Sequence, residues 1–173
     1  MKVILAVCAA LLAAGCATFD GRGLVAGQAT AADVEQAMGA PAERRQVAGE
    51  TWLYYPRQPF GRQVYVARIG ADGRLAAIEP RLTDATVAHI VPNATRAEEV
   101  RDLLGPPYNA TAFPRMERTA WTWHMRRFGD PGMPAALTVQ VSPDGVVREV
   151  FYIDETDRDR FFSGFGLGLR FGG

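Results

Sequence analysis

The chain has 173 residues, of which 19 are basic and 19 acidic, so its formal net charge is zero. A neutral chain lacks the excess of lysine and arginine that nucleic-acid binding requires, and we expect no nucleic-acid partner. With 48% hydrophobic and 22% charged residues, the composition is that of a globular protein, which excludes a disordered chain and a polytopic membrane protein.

The first feature along the chain is a short apolar segment that ends in a cysteine. The apolar run follows Lys2 and is about a dozen residues long, too short to cross a hydrocarbon layer of about 30 Å. Its end, Leu12-Ala13-Ala14-Gly15-Cys16, resembles the bacterial lipoprotein lipobox. The resemblance implies a signal peptide over residues 1–15 and acyl chains on Cys16 that anchor the mature protein to a membrane. The alternative is an ordinary secretory signal cleaved elsewhere, with Cys16 incidental.

The residue types that carry catalysis are sparse. Cys8 leaves with the predicted signal peptide and Cys16 is the predicted lipid site, so no thiol remains for a disulfide, a metal or a nucleophile. His89 and His124 lie in different elements, and neither has a metal-ligand spacing. Ser142 precedes a proline in a predicted turn. We therefore predict a non-enzyme with no cofactor and no metal, and keep a hydrolase that depends on His124 as a third class.

Residues 16–28 predict a flexible tether, and after them the same pattern occurs twice. A first unit over residues 27–85 starts with a helix capped by Thr30 and stopped by Gly39. An aromatic strand around Trp52 follows, then a strand over residues 64–69, an Asp72-Gly73 turn and a strand over 75–79.

A second unit over residues 88–154 repeats this order. Its helix is predicted to begin at Thr95 and to stop at Gly105. Strands around Trp121 and over residues 136–141 follow, then an Asp144-Gly145 turn and a strand over 146–153, while residues 110–118 are interpreted as a lengthened loop. The predicted fold class is α+β, with two tandem helix-plus-antiparallel-meander repeats that pair into one wider sheet with its helices on one face.

Alternation along the strands predicts which side chains face the helices. Trp52, Tyr54, Trp121 and Trp123 are assigned to the core, because the residues between and after the second tryptophan pair are polar. The opposite face is then open. Its predicted residues, and our candidate partner-binding face, are Tyr55, Val66, Arg68, His124 and Gln140.

The order of these motifs resembles the SmpA/OmlA (BamE-like) outer-membrane lipoprotein family. The matching residues are Gly27, Thr30, Asp33-Val34, Met38-Gly39-x-Pro41, Trp52-x-Tyr54, Arg57-Gln58-Pro59 and Asp72-Gly73. The duplicated unit is also similar to the tandem-repeat β-lactamase inhibitor protein fold. The family resemblance implies a lipid-anchored scaffold that faces the periplasm and binds envelope proteins, with the β-barrel assembly machinery as one such partner. Ala17 after the lipidated cysteine implies the outer membrane. The alternative function is a periplasmic inhibitor or small-ligand-binding protein that uses the open concave sheet face.

The C-terminal part of the chain has two unusual patterns. Residues 154–160 alternate acidic residues with arginine, which predicts a solvated linker. In the tail over residues 155–173, apolar residues then alternate with glycine. We expect Phe165, Leu167, Leu169 and Phe171 to add to an exposed strand of a partner or to lie in the lipid interface, the alternative being a disordered end.

Overall fold

A computed structural model describes residues 21–128 and 132–156. The predicted signal peptide, Cys16, the start of the tether and the tail residues Phe165, Leu167, Leu169 and Phe171 lie outside these ranges. The described residues form a mixed α+β fold that is mostly β. Its elements are α1 (Ala31–Met38), β1 (Glu43–Val47), β2 (Glu50–Pro56), β3 (Val64–Ile69), β4 (Leu75–Pro80), α2 (Asp84–Val87), α3 (Ala97–Leu104), β5 (Asn109–Phe113), a 3₁₀ turn (Pro114–Met116), β6 (Arg118–Arg127), β7 (Met133–Val141) and β8 (Val147–Asp154).

The strands belong to two separate four-stranded antiparallel sheets, in the orders β1-β2-β3-β4 and β5-β6-β7-β8. The α+β class is therefore confirmed, but the prediction of one widened sheet is wrong for the described residues. The chain also divides into two compact units. Of the described residues, the first unit contains 21–55 and 66–79, and the second contains 56–65 and those from Pro80 to 156. The predicted boundary near residue 85 differs from this division because residues 56–65 pack with the second unit.

The first helix begins and ends where the sequence indicates. The Thr30 hydroxyl accepts a hydrogen bond from the Asp33 N–H, and the Asp33 carboxylate accepts one from the Thr30 N–H at 2.8 Å. Gly39 ends the helix with a φ of 86° that favours glycine. The second long helix, α3, is capped by Arg96 instead of the predicted Thr95. The Thr95 side chain is buried and accepts a hydrogen bond from the Val91 N–H at 2.8 Å.

Residues 21–28, the described part of the predicted tether, are packed against the first unit. Gly21 is buried, and the Gly27 N–H donates to the Leu75 carbonyl at 2.8 Å. These contacts hold the segment to β4, so the predicted tether is wrong over these residues. Residues 110–113, part of the predicted loop over 110–118, belong to strand β5, which pairs with β6 from Asn109–Thr122 to Phe113–Arg118.

Both faces of the central strands are buried, which contradicts the predicted open face. Tyr55, Val66 and His124 are 3%, 0% and 6% exposed. Arg68 and Gln140 are half-buried. Leu53, which has the same strand parity as Tyr55, is also fully buried, next to the core residue Tyr54. Strand alternation identifies the two faces of a strand but not whether the second face is covered, and at Tyr55, Val66 and His124 it is.

Candidate binding surface

Arg68, on β3 of the first unit, is held by two carboxylates. Its guanidinium donates to both oxygens of Glu50 at 2.7 and 2.9 Å and to Glu79 at 2.9 Å. It also lies 5.6 Å from the centre of the Trp52 ring. The hydrogen bonds from Arg68, and then the one from Trp52, lower the pKa of Glu50 to about 2. Arg68 thus makes these hydrogen bonds within its own unit and links strand β3 to its neighbours β2 and β4.

His124, on β6 of the second unit, is buried and lies in a group that we call the histidine cluster: Gln58, Arg62, Tyr108, His124 and Glu155. Glu155 is buried as well, whereas Tyr108 is exposed. His124 Nδ1 is 2.9 Å from Glu155 Oε2, and the same oxygen accepts from Arg62 Nη1 at 2.7 Å. Its main-chain N–H donates to Gln58 Oε1 at 2.7 Å, and its ring lies edge-on to Tyr108 at 4.8 Å. Strand β5 pairs with β6 only as far as Thr122. Beyond that residue, Gln58 accepts the hydrogen bond from the main-chain N–H of His124 that a neighbouring strand would otherwise accept.

Glu155 is the carboxylate of the histidine cluster, and two neighbours form hydrogen bonds with it. Burial raises the pKa of Glu155, but the hydrogen bonds from Arg62 and His124 outweigh it and hold that pKa below its usual range. The carboxylate is therefore ionised at neutral pH, and the Nδ1 proton of His124 points at it. Side chains of Arg62 and Glu155 are 10% and 6% exposed, which makes this a buried ion pair.

A buried histidine beside a carboxylate is also the orienting pair of many acid–base sites, and a hydrolase of this type needs a nucleophile at the ring. Ser142 lies beyond Val141, whereas His124 pairs with Ala136 on the same strand. Six residues along a strand separate Ser142 from Ala136, about 20 Å. The Ser142 hydroxyl instead donates to Asp144 in the hairpin turn. The cluster therefore fastens the loop of residues 56–63 to the second sheet.

A pocket of about 350 Å³ lies beside that loop, within the second unit. Its lining residues are Gly61, Arg62, Gln63, Tyr65, Leu82, Thr83, Asp84 and Arg126. The polar groups of Gln63 and Asp84 stabilise local structure. Gln63 Oε1 accepts from the Val64 and Leu82 N–H groups, and Asp84 binds Arg127 and the Phe128 N–H. The pocket therefore lies where several loops meet, and hydrogen bonds from its lining residues stabilise these loops.

The opposite end of the second sheet presents an exposed strand. All five residues of β5 are exposed, and β5 is the edge strand of its sheet. Tyr108, Phe113 and Met116, just before, at the end of and just after the strand, are 51%, 43% and 55% exposed. Large apolar side chains next to an edge strand are typical of a protein-binding surface.

A groove of about 480 Å³ runs beside β5, and we call it the β5 groove. It is lined by Ala112, Pro114, Glu117, Arg118, Thr119, Trp121, Val141, Ser142 and Pro143. Trp121 is directly opposite Ala110 on β5, and Thr119 is opposite Ala112. Since the β5 residues on this face are alanines, one side of Trp121 is left uncovered, whereas Arg101 of α3 lies 5.9 Å from the ring. Strand β5 and the β5 groove together form the candidate surface, which sequence reasoning missed.

Comparisons with known proteins give little for this chain. No family model matches it, and no curated protein matches it. A solved structure with some similarity is the crystal structure of a DUF4309 family protein (YjgB) from Bacillus subtilis subsp. subtilis str. 168, with 19% sequence identity and a TM-score of 0.29 over 77% of this chain and 83% of that one. A TM-score of 0.29 is below the level at which two chains share a fold, so this similarity assigns neither a fold nor a function. Within the residues that the structure describes, no helix is long and apolar enough to cross a membrane.

Proposed function

We propose that this chain is a lipid-anchored envelope protein that works by binding other envelope proteins. The anchor is acylated Cys16, the location is the periplasmic side of the outer membrane, and the role is that of an accessory protein in outer-membrane protein assembly. The observation that carries the binding role is the exposed edge strand β5 beside an apolar groove. The lipobox sequence around Cys16 supports the location.

We also propose that the fold is a tandem repeat of the BamE-like unit. Hydrogen bonds at equivalent places in the two halves support this. The Gly39 N–H donates to Glu35 and the Gly105 N–H to Arg101, at 2.8 and 2.9 Å. The first residue before each edge strand also makes the same bond, from Ala42 to Tyr54 and from Tyr108 to Thr122, both at 2.9 Å. Corresponding positions are 66 residues apart in the helices and in these edge strands.

The second unit offers the better surface for a partner. Its edge strand β5 is exposed at every residue, whereas β1 of the first unit alternates half-buried and exposed residues. An extended segment of a partner can add to β5 through main-chain hydrogen bonds and place an apolar side chain beside Trp121. Main-chain pairing gives affinity, and the β5 groove gives selectivity for large apolar side chains.

Photo-crosslinking in the native cell tests this proposal. A photoreactive residue at Phe113, on β5, is expected to form a covalent product with an envelope protein when Cys16 is intact. The matched control is Glu149, an exposed residue on β8 at the other edge of the same sheet. We expect the product from Phe113 and none from Glu149, because binding is confined to the β5 side.

The identity of the product separates the candidate functions. A subunit of the barrel-assembly machinery, or one of its substrates, supports the accessory role. A single soluble periplasmic enzyme instead supports the inhibitor alternative. Equal products from both positions, or none from Phe113, would contradict the proposed surface.

A further inference from the structure

The free side of strand β5 and the C-terminal sequence of this chain are complementary. We propose that the C-terminal residues 161–173 pair with β5 of the same molecule and place their apolar side chains in the β5 groove. This inference rests on the proposed function, since it names an occupant that competes with a partner for the same surface. Three features support it: the pattern of the tail, the shape of the groove and the reach of the chain.

The tail has the pattern of a strand with one apolar side. Large apolar residues occupy positions 161, 165, 167, 169 and 171, and glycine occupies 164, 166 and 168. In an extended conformation, alternate side chains point to opposite faces. The apolar residues from 165 to 171 therefore form one row, and the glycines form the other, together with Phe162 and Arg170. The apolar side chains of this row can be buried only if the tail lies beside a sheet that has an apolar groove.

The β5 groove is an apolar groove of this kind. On the groove face, β5 carries only the methyl groups of Ala110 and Ala112 next to Trp121. A large side chain on a strand added beside β5 projects over these alanines toward the indole ring. The opposite face of β5 carries Asn109 and Thr111, which the glycine row leaves uncrowded. Alternate main-chain N–H and C=O groups of β5 point away from β6 and are available for this added strand.

The chain is long enough to reach this edge. Strand β8 ends at Asp154, which pairs with Ala135, and Ala135 pairs with Met125. Measured along the strands, the end of β8 is therefore level with Met125 of β6. This is three residues beyond Thr122, the residue of β6 that pairs with the first residue of β5. The position beyond β5 is four strand spacings from β8, about 19 Å, and three residues add about 10 Å along the strand. Residues 157–164, extended at about 3.3 Å each, span about 26 Å, enough for residues 165–171 to run parallel to β5.

Disulfide mapping in the purified mature chain tests the pairing. With Cys16→Ser the mature chain has no other cysteine, so two introduced cysteines report on one contact. Thr111→Cys places a thiol on the glycine-row face of β5. Combined with Gly166→Cys or Gly168→Cys, it is expected to form an intramolecular disulfide in at least one pair, since neighbouring strands meet disulfide geometry. Thr111→Cys with Leu167→Cys is expected to form none, because that side chain points to the groove face.

An equivalent control probes the other edge strand. Arg44→Cys lies on β1 and is exposed. It is expected to form no disulfide with the same tail cysteines. Disulfides that ignore the alternation, or that form equally at Arg44, would show random encounters of the tail and overturn the proposal. A disulfide-linked dimer would overturn pairing within one molecule in favour of a second copy.

Amide hydrogen exchange gives a second readout that needs no new bond. In the mature chain, amides of β5 are expected to exchange about tenfold more slowly than in the double variant Leu167→Asp, Leu169→Asp, which cannot fill the groove. Equal exchange in the two proteins would overturn the proposal. Both measurements use purified, unacylated protein without any partner, so their failure leaves the proposed envelope function standing.

Discussion

Glu155→Ala is expected to lower the free energy of unfolding by about 3 kcal/mol. It removes the buried carboxylate that forms hydrogen bonds with the buried side chains of Arg62 and His124. Glu155 accepts hydrogen bonds from Arg62 and His124 on one oxygen, at 2.7 and 2.9 Å. These bonds join the loop of residues 56–63 to the second sheet, so their loss also loosens the loop. Urea denaturation at neutral pH, followed by tryptophan fluorescence, measures the change.

The ionisation of Glu155 predicts how the free energy of unfolding depends on pH. Because the folded-state pKa of Glu155 lies below its ordinary value of 4.5, ionised Glu155 stabilises the fold fully above that value. This contribution is lost as the pH falls from about 5 through the lower, folded-state pKa. The stability difference between the wild type and Glu155→Gln is therefore expected to narrow as the pH falls below about 5.

A surface ion pair supplies the matched control. Arg44 donates to Glu35 at 2.7 Å, but the Arg44 side chain is 51% exposed. Arg44→Ala is expected to cost less than about 0.5 kcal/mol, since exposed pairs contribute little. A loss of similar size in Glu155→Ala and Arg44→Ala would contradict the structural role of the histidine cluster.

Trp123→Ala is expected to cost about 4 kcal/mol, the largest effect of any substitution that we propose. Trp123 is fully buried, and its indole N–H donates to the Pro106 carbonyl at 3.1 Å. Removing the ring leaves a cavity in the second unit and an unsatisfied carbonyl after α3. Thermal unfolding followed by circular dichroism measures the loss as a lower midpoint.

Trp121 is the control for this substitution, since it lies on the same strand and face. It is half-buried and borders the β5 groove. Trp121→Ala is expected to cost about 1–2 kcal/mol, because less apolar surface leaves water when that ring packs. Equal losses at Trp121 and Trp123 would show that the burial of the two rings differs less than the structure indicates.

Local sequence signals predicted the two longer helices, α1 and α3, and the two Asp-Gly turns, but not the short helix α2 or strand β1. Strand β3 and helix α1 lie where the alternation and the Thr30 cap placed them, because capping and turn chemistry act within a few residues. Gly73 and Gly145 take φ values of 75° and 77° in the predicted Asp-Gly turns. The cap of α3 was placed one residue early, since a threonine at that position instead bonds to the preceding loop.

Strand β5 had no such signal. Its sequence, Asn-Ala-Thr-Ala-Phe, has two alanines and no branched apolar residue, and it is exposed throughout. Its pairing with β6 depends on a neighbour that local periodicity does not report. The sequence therefore indicated a loop where the structure has the edge that forms the candidate surface.

The predicted site residues failed for a related reason. His124, Tyr55 and Val66 lie on the face that alternation assigned outward, but all three are buried. The partners of His124 are 31 and 66 residues away along the chain, at Glu155 and Gln58. Glu155 belongs to a charged stretch that reads as a solvated linker. A buried ion pair between loops has no periodicity, so only the fold reveals it.

The proposed function depends on lipid at Cys16, because that anchor would set the location of the protein and the class of partners that β5 meets. Labelling cells with radioactive palmitate and comparing the wild type with Cys16→Ser tests this directly. We predict label on the wild-type protein, recovered with the outer-membrane fraction, and none on Cys16→Ser, released into the soluble periplasm. A wild-type protein without label, or a Cys16→Ser variant that keeps it, would contradict the anchor.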